Sequence, residues 1–309
     1  MSQAATASAS QGSHTGRILV IATHAFTQLM RMKVFYFLAI FAVIALASNF
    51  IDLPQHEGPE SMGSNVLSQI KSWSLGTMTL FSVVLAIVAT ALLLPKDIED
   101  RTLYTVLAKP VPRFDYLAGK LLGVLMLIFV SLALMDLLMV AVLQVRTSMV
   151  LTQQQEMATA LECSQGTIDS MRAETEALGP NWSLQGAVVA VFLRSAVMAA
   201  IALMISTFST STLFTTIVSF LVYFIGYFQA DARDVYLHSG EAGQGVLARL
   251  GSLLVSLILP DFQLFNVIDT VIQGGVLPLD VFGKLVFVGF YYTVFYTFAS
   301  WFIFADKEF

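Results

Sequence analysis

Long apolar runs alternate with short polar segments along most of the chain. The runs cover about residues 34–51, 74–94, 117–143, 184–205, 213–229 and 279–304. A bilayer core of roughly 30 Å is crossed by about 20 helical residues. In a bilayer an isolated segment must satisfy its own backbone hydrogen bonds, which favours helices. The pattern therefore predicts an all-α membrane protein with six transmembrane helices.

Three shorter segments depart from this pattern. Residues 16–33 place apolar side chains on one helical face and polar ones on the other, which predicts an amphipathic helix in the membrane interface. Residues 250–259 are apolar but too short to cross, and Pro260-Asp261 follows, so we expect a re-entrant region over 250–278. Residues 1–15 lack a basic n-region and predict a disordered tail without a cleavable signal. Residues 16–309 then form one transmembrane domain.

The composition supports the membrane class and excludes several others. Hydrophobic residues make up 57% of the chain, charged residues 12%, and the mean hydropathy is +0.77. These values are far from those of a soluble domain. The single cysteine, Cys163, excludes a disulfide framework and a Cys-rich metal site. We therefore expect membrane lipid around the chain, no nucleic-acid partner, no metal and no cofactor bound by the chain itself.

The basic residues predict the orientation. Five of the sixteen Lys and Arg residues lie between residues 95 and 120, in the loop that joins the second and third spans. Lys and Arg in short loops resist translocation, so this loop is predicted to be cytoplasmic. The protein is then a multi-pass protein of the plasma (inner) membrane with both termini inside. Residues 144–183 form an exoplasmic loop, either a capping element over a pore mouth or a solvated connector.

The same loop carries a family resemblance. It contains the strings Glu99-Asp100-Arg101-Thr102-Leu103, Leu107-Ala108-Lys109-Pro110-Val111-Pro112-Arg113 and Leu117-Ala118-Gly119-Lys120. They resemble the acidic-x-x-Thr-Leu string, the Lys-Pro-Val-x-Arg turn and the Gly-Lys motif of ABC-2 type transporter permeases. The variant is most similar to the permeases grouped with multi-copper enzyme and nitrous oxide reductase maturation, although Arg101 stands where many members have Gly. The amphipathic helix and the re-entrant region resemble the family's elbow helix and exoplasmic re-entrant helices.

The resemblance implies a permease subunit of an ATP-binding cassette exporter that works with a separate ATPase and a second permease copy or paralogue. It implies an ATPase-coupling helix made of Glu99, Asp100, Arg101, Thr102, Leu103, Val106 and Leu107. It also implies a coupling-loop turn that includes Lys109, Pro110, Pro112, Arg113, Gly119 and Lys120.

The residues of the loop fit this interpretation on physical grounds. Pro95 is expected to end the second span, and Asp97 to cap the next helix. Four residues, Ile98, Leu103, Val106 and Leu107, supply an apolar face that a groove in a soluble domain could receive. The alternative is a basic loop that only enforces topology.

The sequence contains no Gly-x-x-x-x-Gly-Lys-Ser/Thr motif, so we expect ATP and Mg²⁺ on the partner. The chain is then a transport permease and not an enzyme. The alternative function is a stand-alone membrane protein, either a secondary carrier or an assembly scaffold.

Charges inside the spans predict further contacts. Asp136 in the third span and Arg194 in the fourth lie at depths that differ by roughly 5 Å, which predicts an intramembrane ion pair. A substrate contact is the alternative for Arg194. Lys284 and Asp280 are one turn apart near the start of the last span and are expected to pair at the surface. Gly119 and Gly123 form a small-xxx-small pair that permits close helix approach.

Overall fold

The computed structural model describes residues 14–47, 62–99, 112–160, 165–209, 211–238 and 260–305, and no strand occurs in these ranges. The helices are α1 (His14–Met30), α2 (Lys33–Ala47), α3 (Met62–Glu99), α4 (Arg113–Ala160), α5 (Gln165–Leu178), α6 (Trp182–Phe208) and α7 (Thr212–His238), followed by a 3₁₀ helix (Phe262–Phe265), α8 (Ile268–Ile272) and α9 (Leu279–Ala305).

Five helices in the described part of the chain are long and apolar enough to cross a membrane, namely α3, α4, α6, α7 and α9. They coincide with five of the six predicted spans. The first predicted span corresponds to α2, which has 15 described residues, and its remainder lies outside the described ranges. A membrane crossing by this first predicted span therefore stays a prediction. The predicted N-terminal tail and residues 250–259 of the re-entrant region also lie outside the description.

The second predicted span is longer than expected at both ends. Helix α3 has 38 residues and continues through Pro95 to Glu99, so the prediction that Pro95 ends the helix is wrong. Proline removes one backbone donor and can be accommodated inside a membrane helix when neighbouring groups compensate. The prediction that Asp97 caps a following helix is also wrong, because this residue lies within α3 and binds side chains of α4.

The early start of α3 places Lys71 inside the helix and not in a loop. Its side chain is fully buried, and Nζ donates to the carbonyl oxygen of Val271 in α8 at 3.4 Å. The hydroxyl of Ser68 donates to the carbonyl oxygen of Ile272 at 3.1 Å. The last carbonyls of a helix lack internal partners and attract positive charge. These two side chains therefore fix α8 against α3.

Most of the predicted exoplasmic loop is helical. Helix α4 has 48 residues, roughly 70 Å, and extends well beyond the third predicted span. Helix α5 packs beside this extension, with the Thr175 hydroxyl donating to Gln154 Oε1 at 3.1 Å. Asn181 then caps α6, where its Oδ1 accepts the backbone N–H of Leu184 at 2.9 Å. Residues 144–178 thus include a helical pair at one end of the bundle.

Helix α6 lies in the core and packs against α3 and α9. Its small side chains permit this, and the hydroxyls of Ser195 and Ser82 meet at 2.7 Å between α6 and α3. A Cβ on Gly289 of α9 would approach Leu193 of α6 to 3.1 Å. Close packing of this kind is the main attraction available between helices in lipid.

Candidate functional site

The end of α3 and the beginning of α4 are joined by buried polar contacts. Lys120 Nζ lies 2.7 Å from Asp97 Oδ2, with side chains 5% and 13% exposed respectively. The Tyr116 hydroxyl donates to the same carboxylate oxygen at 2.5 Å. Short charge-assisted hydrogen bonds of this kind are roughly twice as strong as those between neutral groups. The end of α3 and the beginning of α4, which flank residues 100–111, are therefore held together by these contacts.

The beginning of α4 also holds the end of α9. Arg113 Nη1 donates to the carbonyl oxygens of Phe304 and Ala305 at 2.9 and 2.6 Å. The Tyr116 ring stacks on the Phe304 ring at 6.2 Å between centroids. A cation at the carboxyl end of a helix interacts favourably with its unpaired carbonyls. We call Asp97, Arg113, Tyr116, Lys120 and Phe304 the basal clamp, and the end of the bundle where it lies the basic end.

Helix α1 packs on α4 beside the clamp. A Cβ on Gly119 would lie 2.7 Å from the Ile21 Cβ, and one on Gly123 would lie 2.7 Å from the carbonyl oxygen of Ala22. No larger residue fits at either position without displacing α1. Both glycines of the small-xxx-small pair therefore contact α1 of the same chain.

Polar contacts reinforce the packing of α1. Asp115 Oδ2 lies 3.0 Å from His14 Nδ1 and 4.0 Å from Arg17 Nη1. Lys120 Nζ also reaches Gln28 Oε1 at 3.5 Å. The first turns of α4 are therefore held on one side by α1 and on the other by α3 and α9.

The structure brings together only part of the predicted coupling site. Arg113, Gly119 and Lys120 lie at the basic end as described, Pro112 immediately precedes α4, and Glu99 is the last residue of α3. The remaining predicted coupling residues lie outside the described ranges, namely Asp100, Arg101, Thr102, Leu103, Val106, Leu107, Lys109 and Pro110.

The sequence interpretation missed three residues of this region. They are Asp97 as the partner of Lys120, Tyr116, and Asp115. A signal was present: Asp97 and Lys120 carry opposite charges near the facing ends of two apolar helices that one short loop connects. Such residues come close whenever the two helices pack as neighbours.

The predicted ion pair between Asp136 and Arg194 is not formed. Asp136 Oδ1 accepts from Gln185 Nε2 at 3.2 Å, and Arg194 Nη2 donates to the carbonyl oxygen of Phe262 at 3.2 Å. Gln185 and Arg194 are nine residues apart in α6, which is about two and a half turns. They therefore project from opposite faces of the helix. The prediction considered only the depth of each residue in the membrane. The partner of a residue also depends on the rotation of its helix, so the predicted pair is wrong.

Arg194 lines a cavity of about 650 Å³ between α3 and α7. Five aromatic residues of α7 form one wall: Phe220, Tyr223, Phe224, Tyr227 and Phe228. The facing wall comes from α3 and includes Gly76, Leu80 and Val83. This volume is within the range of roughly 300–1,000 Å³ found for small-molecule sites.

The guanidinium group of Arg194 is incompletely satisfied. The residue is 3% exposed, and its Nε has no hydrogen-bond partner. Among the described residues no carboxylate pairs with it, and no cluster of His, Cys, Asp or Glu that could hold a metal ion is found. An arginine has five donors, and each donor left unpaired in an apolar environment is costly. One donor of this guanidinium group, Nε, therefore stays without a protein partner at the edge of the cavity.

Together these features describe a multi-pass helical membrane protein with a polar clamp at one end and an aromatic cavity in the bundle. The chain belongs to the ABC-2 family transporter proteins, whose family model matches residues 19–232, more than half of its length. It is thus a transport membrane component and not itself catalytic. No curated protein matches the chain.

Proposed function

We propose that this protein is the permease subunit of an ATP-binding cassette exporter and that a separate ATPase subunit powers it. Residues Glu99 to Leu107 form the surface that docks into the ATPase, and Lys109 to Lys120 connect this surface to the third span. ATP and Mg²⁺ are bound by the ATPase. Membership of the ABC-2 family supports the transport role, and the loop strings support the position of the docking surface.

The observation that carries this proposal is the basal clamp. The 2.7 Å contact between Lys120 and Asp97 fixes the two ends of the connecting segment, and Arg113 fixes them to the end of α9. A loop that only enforced topology would need positive charge but no buried pairing at its base. Because packed elements move as rigid bodies, a force on residues 100–111 would displace α3, α4 and α9 together. Alternating access then follows ATP binding and release.

The proposal includes an orientation and an assembly. The basic end faces the cytoplasm, with both termini, in the plasma (inner) membrane, because it carries the densest group of Lys and Arg. A second permease copy or paralogue completes the pathway, and membrane lipid covers the remaining apolar surface. The export direction and the place among copper-enzyme maturation permeases rest on the resemblance of the loop strings alone.

The experiment is co-purification with any Walker-type ATPase that a neighbouring reading frame is found to encode. We expect a stable complex that hydrolyses ATP, and we expect Leu107→Glu to reduce both recovery of the ATPase and hydrolysis at least about 10-fold, because it places a charge in an apolar contact. The matched control is Val276→Glu, which changes an 80% exposed apolar residue before α9, far from the basic end.

Equal effects of the two substitutions, or hydrolysis that survives deletion of residues 102–107, would contradict the docking surface. A permease that transports without any ATPase would support the stand-alone carrier instead. In that case labelling from the two sides of the membrane would still decide the orientation: Lys109 should react only from the cytoplasmic side.

A further inference from the structure

We infer that the aromatic cavity binds an amphipathic organic anion, with its carboxylate or phosphate on Arg194 and its apolar body along α7 and α3. This inference names the class of cargo for the proposed transporter, and it rests on that function. The binding chemistry itself can be tested without the ATPase.

The apolar part of the ligand follows from the walls. Phe220, Phe224 and Phe228 recur every four residues along α7 and form a continuous stripe that faces the cavity. Leu80, Val83 and Val84 of α3 face them. Burial of a hydrocarbon body between these walls removes apolar surface from water on both sides. A strongly hydrated ligand would gain little here.

The charge of the ligand follows from Arg194. It is the only charged residue among the described residues that line the cavity, and its Nε is buried without a hydrogen-bond partner. The fixed fork of a guanidinium matches the paired oxygens of carboxylates and phosphates. A cation, including a metal ion, would be repelled by this group. The described lining residues contain no carboxylate, histidine or cysteine that could offset the repulsion.

The position of Arg194 within the bilayer suits an amphiphile. It lies twelve residues after the start of α6 at Trp182, roughly 18 Å along the helix. The acidic group of the ligand would therefore lie near the middle of the membrane. Leu80, Phe224 and Phe228 are more than half exposed, so the cavity opens through them at the side of the bundle. A ligand dissolved in the bilayer could enter by this route.

The experiment measures binding to the purified permease in nanodiscs of phosphatidylcholine. The probes are palmitate and hexadecyl phosphate, compared with hexadecanol and hexadecyltrimethylammonium, which carry chains of the same length. A charge-assisted hydrogen bond that only the anions can form should make them bind at least about 10-fold more tightly than the alcohol. Arg194→Met should abolish that preference while it leaves weak binding of hexadecanol. Equal affinity for all four probes would overturn the inference.

A second variant avoids the buried arginine and places the site. Gly76 lines the cavity, and a Cβ there would meet no atom within 4 Å, so Gly76→Leu places a side chain in the cavity. It should weaken binding of every probe. Gly283→Leu is the matched control, because a Cβ on Gly283 also meets nothing within 4 Å and the residue does not line the cavity. Equal effects of both variants would show that the probes bind elsewhere and would overturn the inference.

A third arm distinguishes a second protein copy from the ligand. The thiol introduced by Gly76→Cys, in a Cys163→Ser background, should be protected from alkylation by palmitate. If it instead formed a disulfide between protomers regardless of palmitate, the cavity would belong to the dimer interface and the inference would fail. Anion-selective binding without any ATPase complex would leave this inference standing while the proposed function failed. Complex formation without anion selectivity would support the proposed function and overturn this inference.

Discussion

Lys120 and Asp97 form a buried ion pair across the two ends of the segment that joins α3 and α4, with 2.7 Å between Nζ and Oδ2. The two residues are separated by 23 positions in sequence, and residues 100–111 lie between them. The Gly-Lys motif therefore has a local physical role. Gly119 leaves room for α1, and Lys120 binds Asp97 near the end of α3.

The ion pair should be strongly coupled. Lys120→Met removes the ammonium group that lies 2.7 Å from the partly buried Asp97 carboxylate, which should reduce the free energy of unfolding by roughly 3 kcal/mol. Asp97→Asn should cost a similar amount, and the double variant should cost at least about 1 kcal/mol less than the sum. Denaturation with SDS in mixed micelles measures all three. The same cycle on the exposed pair Lys284 and Asp280, whose side chains are 80% and 70% exposed, should give a coupling of about 0.5 kcal/mol or less.

Gly123→Ala should destabilise the protein by about 1–3 kcal/mol. The new Cβ would lie 2.7 Å from both the carbonyl oxygen of Ala22 and the Cβ of Ala25, so α1 must move away from α4. Limited proteolysis of α1 and SDS denaturation would measure the effect. Gly283→Ala, whose Cβ meets nothing within 4 Å, should be neutral or stabilising by up to about 1 kcal/mol because alanine favours the helix. A change of oligomeric state without loss of stability would instead indicate that the glycine pair serves dimerisation.

Asp136→Asn should be tolerated, because an asparagine oxygen can still accept from Gln185 Nε2, now 3.2 Å from Asp136 Oδ1. Arg194→Gln should not alter the effect of Asp136→Asn. Asp136 contacts α6 on the face opposite to that of Arg194, so the effects of the two substitutions on the free energy of unfolding should add within about 0.5 kcal/mol. Thermal denaturation of the two single variants and the double variant measures this. Rescue of one substitution by the other would instead support the intramembrane ion pair that the sequence predicted.

Lys71→Glu should reduce the free energy of unfolding by more than about 3 kcal/mol, because it buries an anion against the carbonyl end of α8. Lys71 is fully buried and donates to the carbonyl oxygen of Val271. Lys284→Glu is the control, since this lysine near the start of α9 is 80% exposed, and it should change stability by about 0.5 kcal/mol or less. Similar losses for the two variants would show that Lys71 is not buried in the membrane-embedded protein.

Local features of the sequence predicted the spans well but their ends poorly. The apolar runs located α3, α4, α6, α7 and α9, because hydropathy is a property of each segment by itself. The polar ends of α3 and α4 lie outside the predicted spans 74–94 and 117–143. Helix can continue into polar sequence when a neighbour supplies contacts, as α8 does for Lys71 and α5 does for Gln154. Those neighbours are distant in sequence, so no local pattern reveals them.

The candidate sites show the same division. The sequence alone singled out residues 95–120, through their charge and their resemblance to ABC-2 permeases, and it identified Arg194 as a charge that needs an explanation. Only the tertiary structure paired Lys120 with Asp97, filled the space beside Gly119 with α1, and separated Arg194 from Asp136. The physical reason is the rotation of each helix about its own axis. Hydropathy and charge fix where a residue lies along the membrane normal, whereas the packing of each helix fixes the direction of its side chains, and partners depend on both.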